Sequence, residues 1–564
     1  MNASESFGRN LKLIVCLALA LRVAGIGFGL PYVYHQDEPV IVNHAMALDE
    51  RGWNPHFFVI PSFTIYLLFI LYGISYVIGH LLGIFAGKID FAVLFLKDPT
   101  FFYLVGRLAL GAFFGTATVW MLGRLGKDFL SPRIGLLSAL FLSISFLHAT
   151  HSHYIYADIP LTFMVTVMCY FILCAFKKPE TKNCVLAGCF LGLAVSAKYT
   201  AAYFVPAILL SYFFVYREKS LTPTNLKMHG LAALSALTAY WLVVPYTVLD
   251  WTNFSRQVFA QSGAENPVGF FHHLFYSILN GTSLPFLIAA AFGTRPFFAK
   301  YRTEAFFFAA MTLIYYAVNV VFSQPFARYM MPVFPMLCLF AAFGFEWISE
   351  YFKSRPGARM AVHAAVILSL ISPTLYVDYL FLQKDTRDPC LEWIEKNVPP
   401  GETIVVDNRY YAPHLRETVQ QIKEKYSLLN DSNKIEKKRL DLLQKAQQEM
   451  KTYRVFTLSQ GKIQEDNAFL FQRPFVGMNL EALRKIGAKY LILNYSEYQP
   501  RIQAFKKSIE PHLELKAVFE PYRNLLRKLM PDPYSATSVP DSQADLFSRR
   551  QLGPYLEVYE VKAG

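Results

Sequence analysis

The feature that most constrains this chain is a succession of apolar runs, each long enough to cross about 30 Å of hydrocarbon. They lie near 13–34, 101–123, 133–148, 159–176, 183–198, 200–216, 229–247, 277–294, 304–322, 330–348 and 360–380, with a further run at 62–86. A chain that is 54% hydrophobic, 16% aromatic and only 17% charged over 564 residues has too little polar surface to enclose itself in water. It needs lipid, and the class expected is a mainly α, polytopic membrane protein. The formal charge of +13 does not point to nucleic acid, because the basic residues sit in short loops between apolar runs, where they set topology. Six of the seven cysteines (Cys16, Cys169, Cys174, Cys184, Cys189, Cys338) lie in or beside apolar runs, and Cys390 stands alone in the polar last third. This is no disulfide framework and no CxxC metal signature.

Charge placement predicts the topology. Arg9 and Lys12 precede the first run, and later basic clusters around Arg124, Lys177, Arg217, Arg295 and Lys353 separate the others in pairs, so all should face the cytoplasm. Arg9 and Arg124 can both be inside only if one of the three runs between them does not cross. The run at 62–86 opens with Pro61 and carries Gly73, Gly79, His80, Gly83 and Gly87, which suits an interfacial or re-entrant helix in a long first outer loop. About eleven spans remain, with the N terminus cytoplasmic and the loops at 35–60, 149–158, 248–272 and 323–329 outside. The first run has a basic start like a signal peptide, but Arg22 interrupts it and no A-x-A site follows, so an uncleaved span is expected.

Residues 384–564 carry 29 Lys+Arg and 24 Asp+Glu, more than half of the charge in the chain. They are expected to form an extracytoplasmic α/β domain beside a transmembrane domain at 1–383. Strand-like runs at Thr403–Val406, Tyr453–Leu458, Tyr490–Leu493, Leu515–Phe519 and Tyr555–Val561 alternate with helical stretches at 388–397, 413–426 and 433–451.

Two outer loops carry the chemistry. The first starts His35-Gln36-Asp37-Glu38-Pro39 at the end of the first span, where adjacent acids are costly unless used. A partly desolvated carboxylate there suits a general base or a cation ligand; the plainer alternative is a pair of charges marking a helix end in water. The second reads His151-Ser152-His153-Tyr154-Ile155-Tyr156-Ala157-Asp158 and faces the same side. With His148, these histidines have the residue types of a Zn²⁺ site, but the same acids and aromatic residues equally suit a polar pocket. Basic residues at membrane depth, Arg22, Arg107, Lys198 and Arg328, need anionic partners. A lipid phosphate is one; pairing with Asp37, Glu38 or Asp158, or snorkelling to the interface, is the other.

In this order and on these sides of the membrane, the residues resemble the integral-membrane GT-C glycosyltransferases, in the group of the protein O-mannosyltransferases and lipid A aminoarabinose transferases. The resemblance spans the chain and rests on His35–Glu38, Asn54-Pro55-His56-Phe57, Pro61-Ser62-Phe63, Gly106-Arg107-Leu108, His151–Asp158, Ala197-Lys198-Tyr199, Arg328-Tyr329 and the terminal Gly553-Pro554-Tyr555-Leu556-Glu557-Val558-Tyr559. It implies a GT-C-type bundle and inverting transfer of a sugar from a polyprenyl-phosphate donor to an extracytoplasmic lipid, glycan or protein, in the plasma or inner membrane. It also implies Asp37 as base with Glu38 and Asp158 beside it, and His35, Arg107, His153, Lys198, Arg328 and Tyr329 at the substrate. No cofactor is implied as required; a divalent cation is left open, with no residue set in the sequence that calls for one. Where those branches carry Lys-Pro-Pro or His-Pro-Pro, this chain has Ile60-Pro61-Ser62, so a basic phosphate contact expected there is missing.

The competing reading from another class is an ion-coupled transporter, built on the intramembrane charges. Transporters usually place such acids near the midplane on broken helices, often in inverted repeats, whereas these acids lie in outer loops and no repeat is evident. A receptor-like role for the outer domain is a third reading.

Overall fold

A computed structural model describes residues 3–262, 269–322, 325–408, 411–427, 441–444, 450–458, 474–494, 500–523 and 540–562. The first helix runs Ala3–Val23 and not to 34 as its apolar run suggests. Gly25 (φ 73°) and Gly29 (φ 65°) take left-handed conformations that end it, so residues 24–32 become turns leading into the first outer loop. A helix at Glu38–Arg51 follows, opened by Pro39 in its first turn, and then Phe63–Leu81.

Seven helices are long and apolar enough to cross a membrane among the described residues: Phe63–Leu81, Thr100–Phe129, Asp158–Lys177, Tyr199–Lys219, Arg302–Phe322, Ala327–Tyr351 and Pro356–Phe381. An eighth forms if His273–Leu279 and Leu284–Lys300, bent by 105° at their break, count as one span. By length and composition Phe63–Leu81 qualifies, although its run was expected not to cross. Ala3–Val23 does not, because Glu5, Arg9, Lys12 and Arg22 interrupt it.

The helices approach closely where small residues face each other, as expected when lipid removes the hydrophobic drive for association. Gly293 and Gly344 let Leu284–Lys300 and Phe334–Tyr351 meet backbone to backbone, since a Cβ at either would collide with the other helix. The same device shapes the site. Thr100–Phe129 contains a π-helical turn at Arg107–Phe113, and a side chain at Gly111 or Gly115 would strike Ser152 in the second outer loop. Glycine there lets that loop settle onto the helix carrying Arg107.

The polar last third holds a six-stranded sheet in the order β3-β2-β1-β4-β6-β5: β1 Thr403–Val406, β2 Arg454–Leu458, β3 Phe475–Val476, β4 Tyr490–Asn494, β5 Leu513–Phe519 and β6 Leu556–Val561. β1 to β4 pair in parallel, while β6 and β5 add antiparallel. Five strands lie within a residue or two of the strand-like runs read from the sequence, and the two-residue β3 is too short to give such a run. The helix at Arg387–Asn397 matches the stretch read at 388–397, while Val419–Ser427 covers only the second part of the stretch read at 413–426, residues 413–418 being non-helical with Glu417 bridged to Tyr453. Of the stretch read at 433–451, residues 441–444 are helical; 433–440 and 445–449 lie outside the described residues.

The stretch that precedes β6 leaves the sheet. Leu546 and Leu552 pack with Phe28, Phe146, Tyr154, Val377, Leu380 and Phe381 in one buried cluster, joining the C-terminal part to both outer loops. Gln543 Nε2 donates to the carbonyls of Asn280 and Thr282, 2.8 Å each, which fastens this segment to the membrane helices.

Candidate active site

The two adjacent acids of the first outer loop separate at once. Glu38 is the first residue of its helix and points inward, where Arg107 grips it with Nε at 2.9 Å from Oε1 and Nη2 at 2.7 Å from Oε2. Both side chains are fully buried. Arg107 Nη1 donates to the carbonyls of Ile26 and Phe28 at 2.8 Å, its guanidinium stacks 4.3 Å from the Phe28 ring, and Ile155 N donates to Glu38 Oε1 at 3.0 Å. This pair fastens the first outer loop to the second. Fork-to-fork geometry and complete hydrogen bonding compensate a desolvation that neither charge survives alone.

Asp37, one residue earlier, faces the other way and keeps 26% of its side chain exposed. Its neighbour is Arg328, whose Nη2 lies 3.3 Å from Asp37 Oδ2 and whose Nε lies 4.0 Å from Asp158 Oδ2. Asp158, at the first position of its helix, also binds Lys198 Nζ at 2.7 Å. Two acids and two cations from four separate elements thus alternate in one row: Asp37, Arg328, Asp158, Lys198. Aromatic faces line it. Lys198 Nζ sits 3.7 Å from the Tyr329 ring, and Arg328 lies between Tyr156 at 5.0 Å and Phe326 at 4.3 Å. Burial, and next the charge of Asp37, push the Tyr156 phenol upward, so it stays neutral.

The row is not hydrogen-bonded to completion. Asp37 Oδ2, Asp158 Oδ2 and Arg328 Nε are buried and have no hydrogen-bond partner among the described residues. Buried polar atoms are rarely left so: the two carboxylate oxygens call for a donor such as a hydroxyl, and the Arg328 N–H for an acceptor oxygen.

The histidines take separate partners. His35 stacks 4.3 Å from the Tyr154 ring and receives the Asp37 N–H on Nδ1 at 3.3 Å, while burial pushes its imidazole down. His148 Nδ1 lies 2.8 Å from Arg22 Nη2. His151 Nε2 lies 3.3 Å from Asp541 Oδ1. His153 faces the carbonyls of Ala149 (Nδ1, 3.0 Å) and Ala24 (Nε2, 2.9 Å), with Asp378 Oδ1 3.7 Å from Nε2, and burial holds it down to about 4 against those hydrogen bonds. Among the described residues, no three His, Cys, Asp or Glu side chains converge as a metal would need.

Of the residues singled out in the sequence, the structure brings together Asp37, Asp158, Lys198, Arg328 and Tyr329, with His35 behind Asp37. Arg107 and His153, expected at the substrate, are turned to protein partners instead: Arg107 to Glu38 and two carbonyls, His153 to two carbonyls. Asp541 was not foreseen, since one Asp in a charged stretch gives no signal. Tyr156 and Phe326 lay in view within or beside the motifs, but nothing in their spacing marks a ring that carries a cation.

Residues 104–245, which include Arg107, the His151–Asp158 loop and Lys198, match the family described as dolichyl-phosphate-mannose-protein mannosyltransferase. No curated protein matches the chain in sequence. Among solved structures the chain is similar to the ArnT of Cupriavidus metallidurans in the apo state, with a TM-score of 0.53 and 12% identity over 99% of this chain and 98% of that one. The same protein bound to undecaprenyl phosphate gives 0.50 and 12% over 98% and 97%. The Archaeoglobus fulgidus oligosaccharyltransferase in complex with Zn and sulfate gives 0.50 and 11% over 98% and 88%. At such identities the likeness is one of fold, and it runs through the helices and the C-terminal sheet alike.

Proposed function

We propose that this chain, which has a GT-C fold and carries a mannosyltransferase-family domain over residues 104–245, is an inverting glycosyltransferase that moves a sugar from a polyprenyl phosphate to an acceptor outside the cytoplasm. The observation that carries this reading is the row in which Arg328 lies 3.3 Å from Asp37, beside the Lys198–Asp158 pair. It supplies a base and cations for a leaving phosphate within one buried, aromatic-lined place. The ArnT complex with undecaprenyl phosphate supports a polyprenyl-linked donor on this fold.

In this mechanism the acceptor hydroxyl oxygen attacks the anomeric carbon from the face opposite the phosphate. The bond from that carbon to the phosphate oxygen breaks, and its electron pair leaves with the polyprenyl phosphate. The acceptor proton goes to Asp37. Charge therefore moves: Asp37 loses its negative charge as the phosphate gains one. Arg328 gives up its carboxylate partner in the step that creates the phosphate charge, so its pairing shifts from base to leaving group without any movement of charge on the protein's cations. Stabilisation realised only as the bond breaks is what accelerates a reaction. Lys198, held by Asp158, adds a second fixed cation, and Tyr329 braces it. Glu38 and Arg107 set the spacing of the two loops. No required cofactor enters this scheme.

The topology that goes with it has the N terminus inside, about eleven spans and residues 384–564 outside, so the row lies at the outer edge of the bilayer. There a lipid phosphate reaches it with the tail still in hydrocarbon. Purified protein incubated with polyprenyl-phosphate hexose or pentose and an envelope extract as acceptor pool should release polyprenyl phosphate and label the extract. Release with one sugar class only would name the donor, and no release with either contradicts the reading.

A further inference from the structure

The C-terminal part places one buried carboxylate against the second outer loop. Asp541 is buried, and its Oδ1 lies 3.3 Å from His151 Nε2, on the outer loop that ends in Asp158. Its other oxygen, His151 Nε2 and Tyr154 Oη are all buried without a hydrogen-bond partner among the described residues. The His151 and Tyr154 rings meet edge to face at 5.5 Å, Tyr154 stacks on His35 at 4.3 Å, and His35 receives the Asp37 N–H. One continuous line of contacts therefore joins Asp541 to the residue assigned as base. Burial, and then the carboxylates of Asp541 and Glu38, push the Tyr154 phenol upward, so it stays neutral.

The segment around Asp541 is pinned and does not merely rest on the surface. Gln543 is fastened to Asn280 and Thr282, Arg549 binds Asp545 at 2.9 Å and the Gly553 carbonyl at 2.9 Å, and Tyr376 Oη donates to the Arg549 carbonyl at 2.7 Å. A buried carboxylate on so fixed a backbone is expensive unless its charge is used. We infer that Asp541 is a positioning residue of the transfer site, holding His151 and, through Tyr154 and His35, the backbone that presents Asp37, so that the C-terminal domain is a working part of the active site and more than an acceptor platform. This rests on the glycosyltransferase reading above. It adds that misplacing Asp37 slows the chemical step while leaving the donor's cations, Lys198 and Arg328, where they are.

The test is turnover and donor KM for full-length Asp541→Asn, Asp541→Glu, His151→Gln and the double variant Asp541→Asn/His151→Gln. Loss of alignment by a fraction of a bond length costs on the order of tenfold or more in rate. Asp541→Asn should therefore lower kcat by about that factor with donor KM within about twofold, the signature of an interaction lost from the chemical step alone. Asp541→Glu should recover part of it. The double variant should be no slower than the worse single one, because both changes remove the same contact. Should Asp541→Asn fail to fold, His151→Gln carries the same expectation from the membrane side. Wild-type kcat in Asp541→Asn or in His151→Gln, or additive losses in the pair, overturns the assignment. A lower unfolding temperature with unchanged kcat per folded molecule overturns it too. Wild-type protein inactive on every donor would instead strike the underlying glycosyltransferase reading.

Discussion

Glu38 and Arg107, 69 residues apart, meet as a bidentate pair at 2.9 and 2.7 Å with neither side chain reaching solvent. Breaking such a pair leaves one buried charge uncompensated, at about 3–5 kcal/mol. Arg107→Ala and Glu38→Gln should each lower the unfolding temperature of the purified protein clearly, and the double change to a matched apolar pair should recover much of the loss. Unchanged thermal unfolding in both single variants would show that the pair is not formed.

The cations beside Asp158 should behave differently. Arg328→Ala and Lys198→Ala remove charge from the place given to the leaving phosphate, and each should cost about 2.7–4 kcal/mol in kcat, the range for loss of one preorganised donor. Because Lys198→Ala strands Asp158, the combined Lys198→Ala/Asp158→Asn variant separates donor use from stability. If the combined variant folds well and turns over normally, Lys198 is only an ion-pair partner.

How much of this was legible without coordinates depends on the range of each interaction. The apolar helices are legible in part, because membrane thickness sets the length of each run, yet Phe63–Leu81 meets the length and composition of a span against expectation and Ala3–Val23 does not; five strands are legible because short apolar runs are a local signal. Asp37, Asp158, Lys198 and Arg328 stand out because charge at membrane depth is costly wherever it occurs. Two adjacent acids, however, look alike in sequence, and only the packing of residues 100–129 against the first outer loop sends Glu38 inward to Arg107 and leaves Asp37 in the row. The end of the first helix at Val23 was hidden because its glycines sit inside an apolar run. Asp541 was hidden because its partner lies 390 positions away.

Topology is tested by fusions. An alkaline-phosphatase fusion after Lys384 should be active and one after Lys127 inactive, as the distribution of basic loops requires. The opposite pattern would put the row on the cytoplasmic face, beyond the reach of an outward-facing donor.

In the C-terminal sheet, Asp407 follows β1 and accepts the Asn494 N–H at 2.7 Å, and burial pushes its carboxyl up to about 7. Its folded value lies above that of the unfolded chain, so the stability it contributes is complete below pH about 4 and is lost as pH rises to about 7. Unfolding temperature should therefore fall between pH 5 and 7.5, and Asp407→Asn should flatten that slope. An equal slope in the variant would assign the pH dependence to other groups.

The role given to Asp37 is tested most directly by Asp37→Asn, which keeps the shape of the side chain and removes its basicity. Turnover and donor affinity are measured together under one condition, with Glu38→Gln alongside. Loss of a positioned base should lower turnover by about 10²–10⁴-fold. Donor affinity should hold or tighten, because Arg328 is released from its carboxylate. Glu38→Gln should cost stability more than turnover per folded molecule. Near-normal turnover in Asp37→Asn, or a larger loss of turnover in Glu38→Gln, would contradict Asp37 as the base.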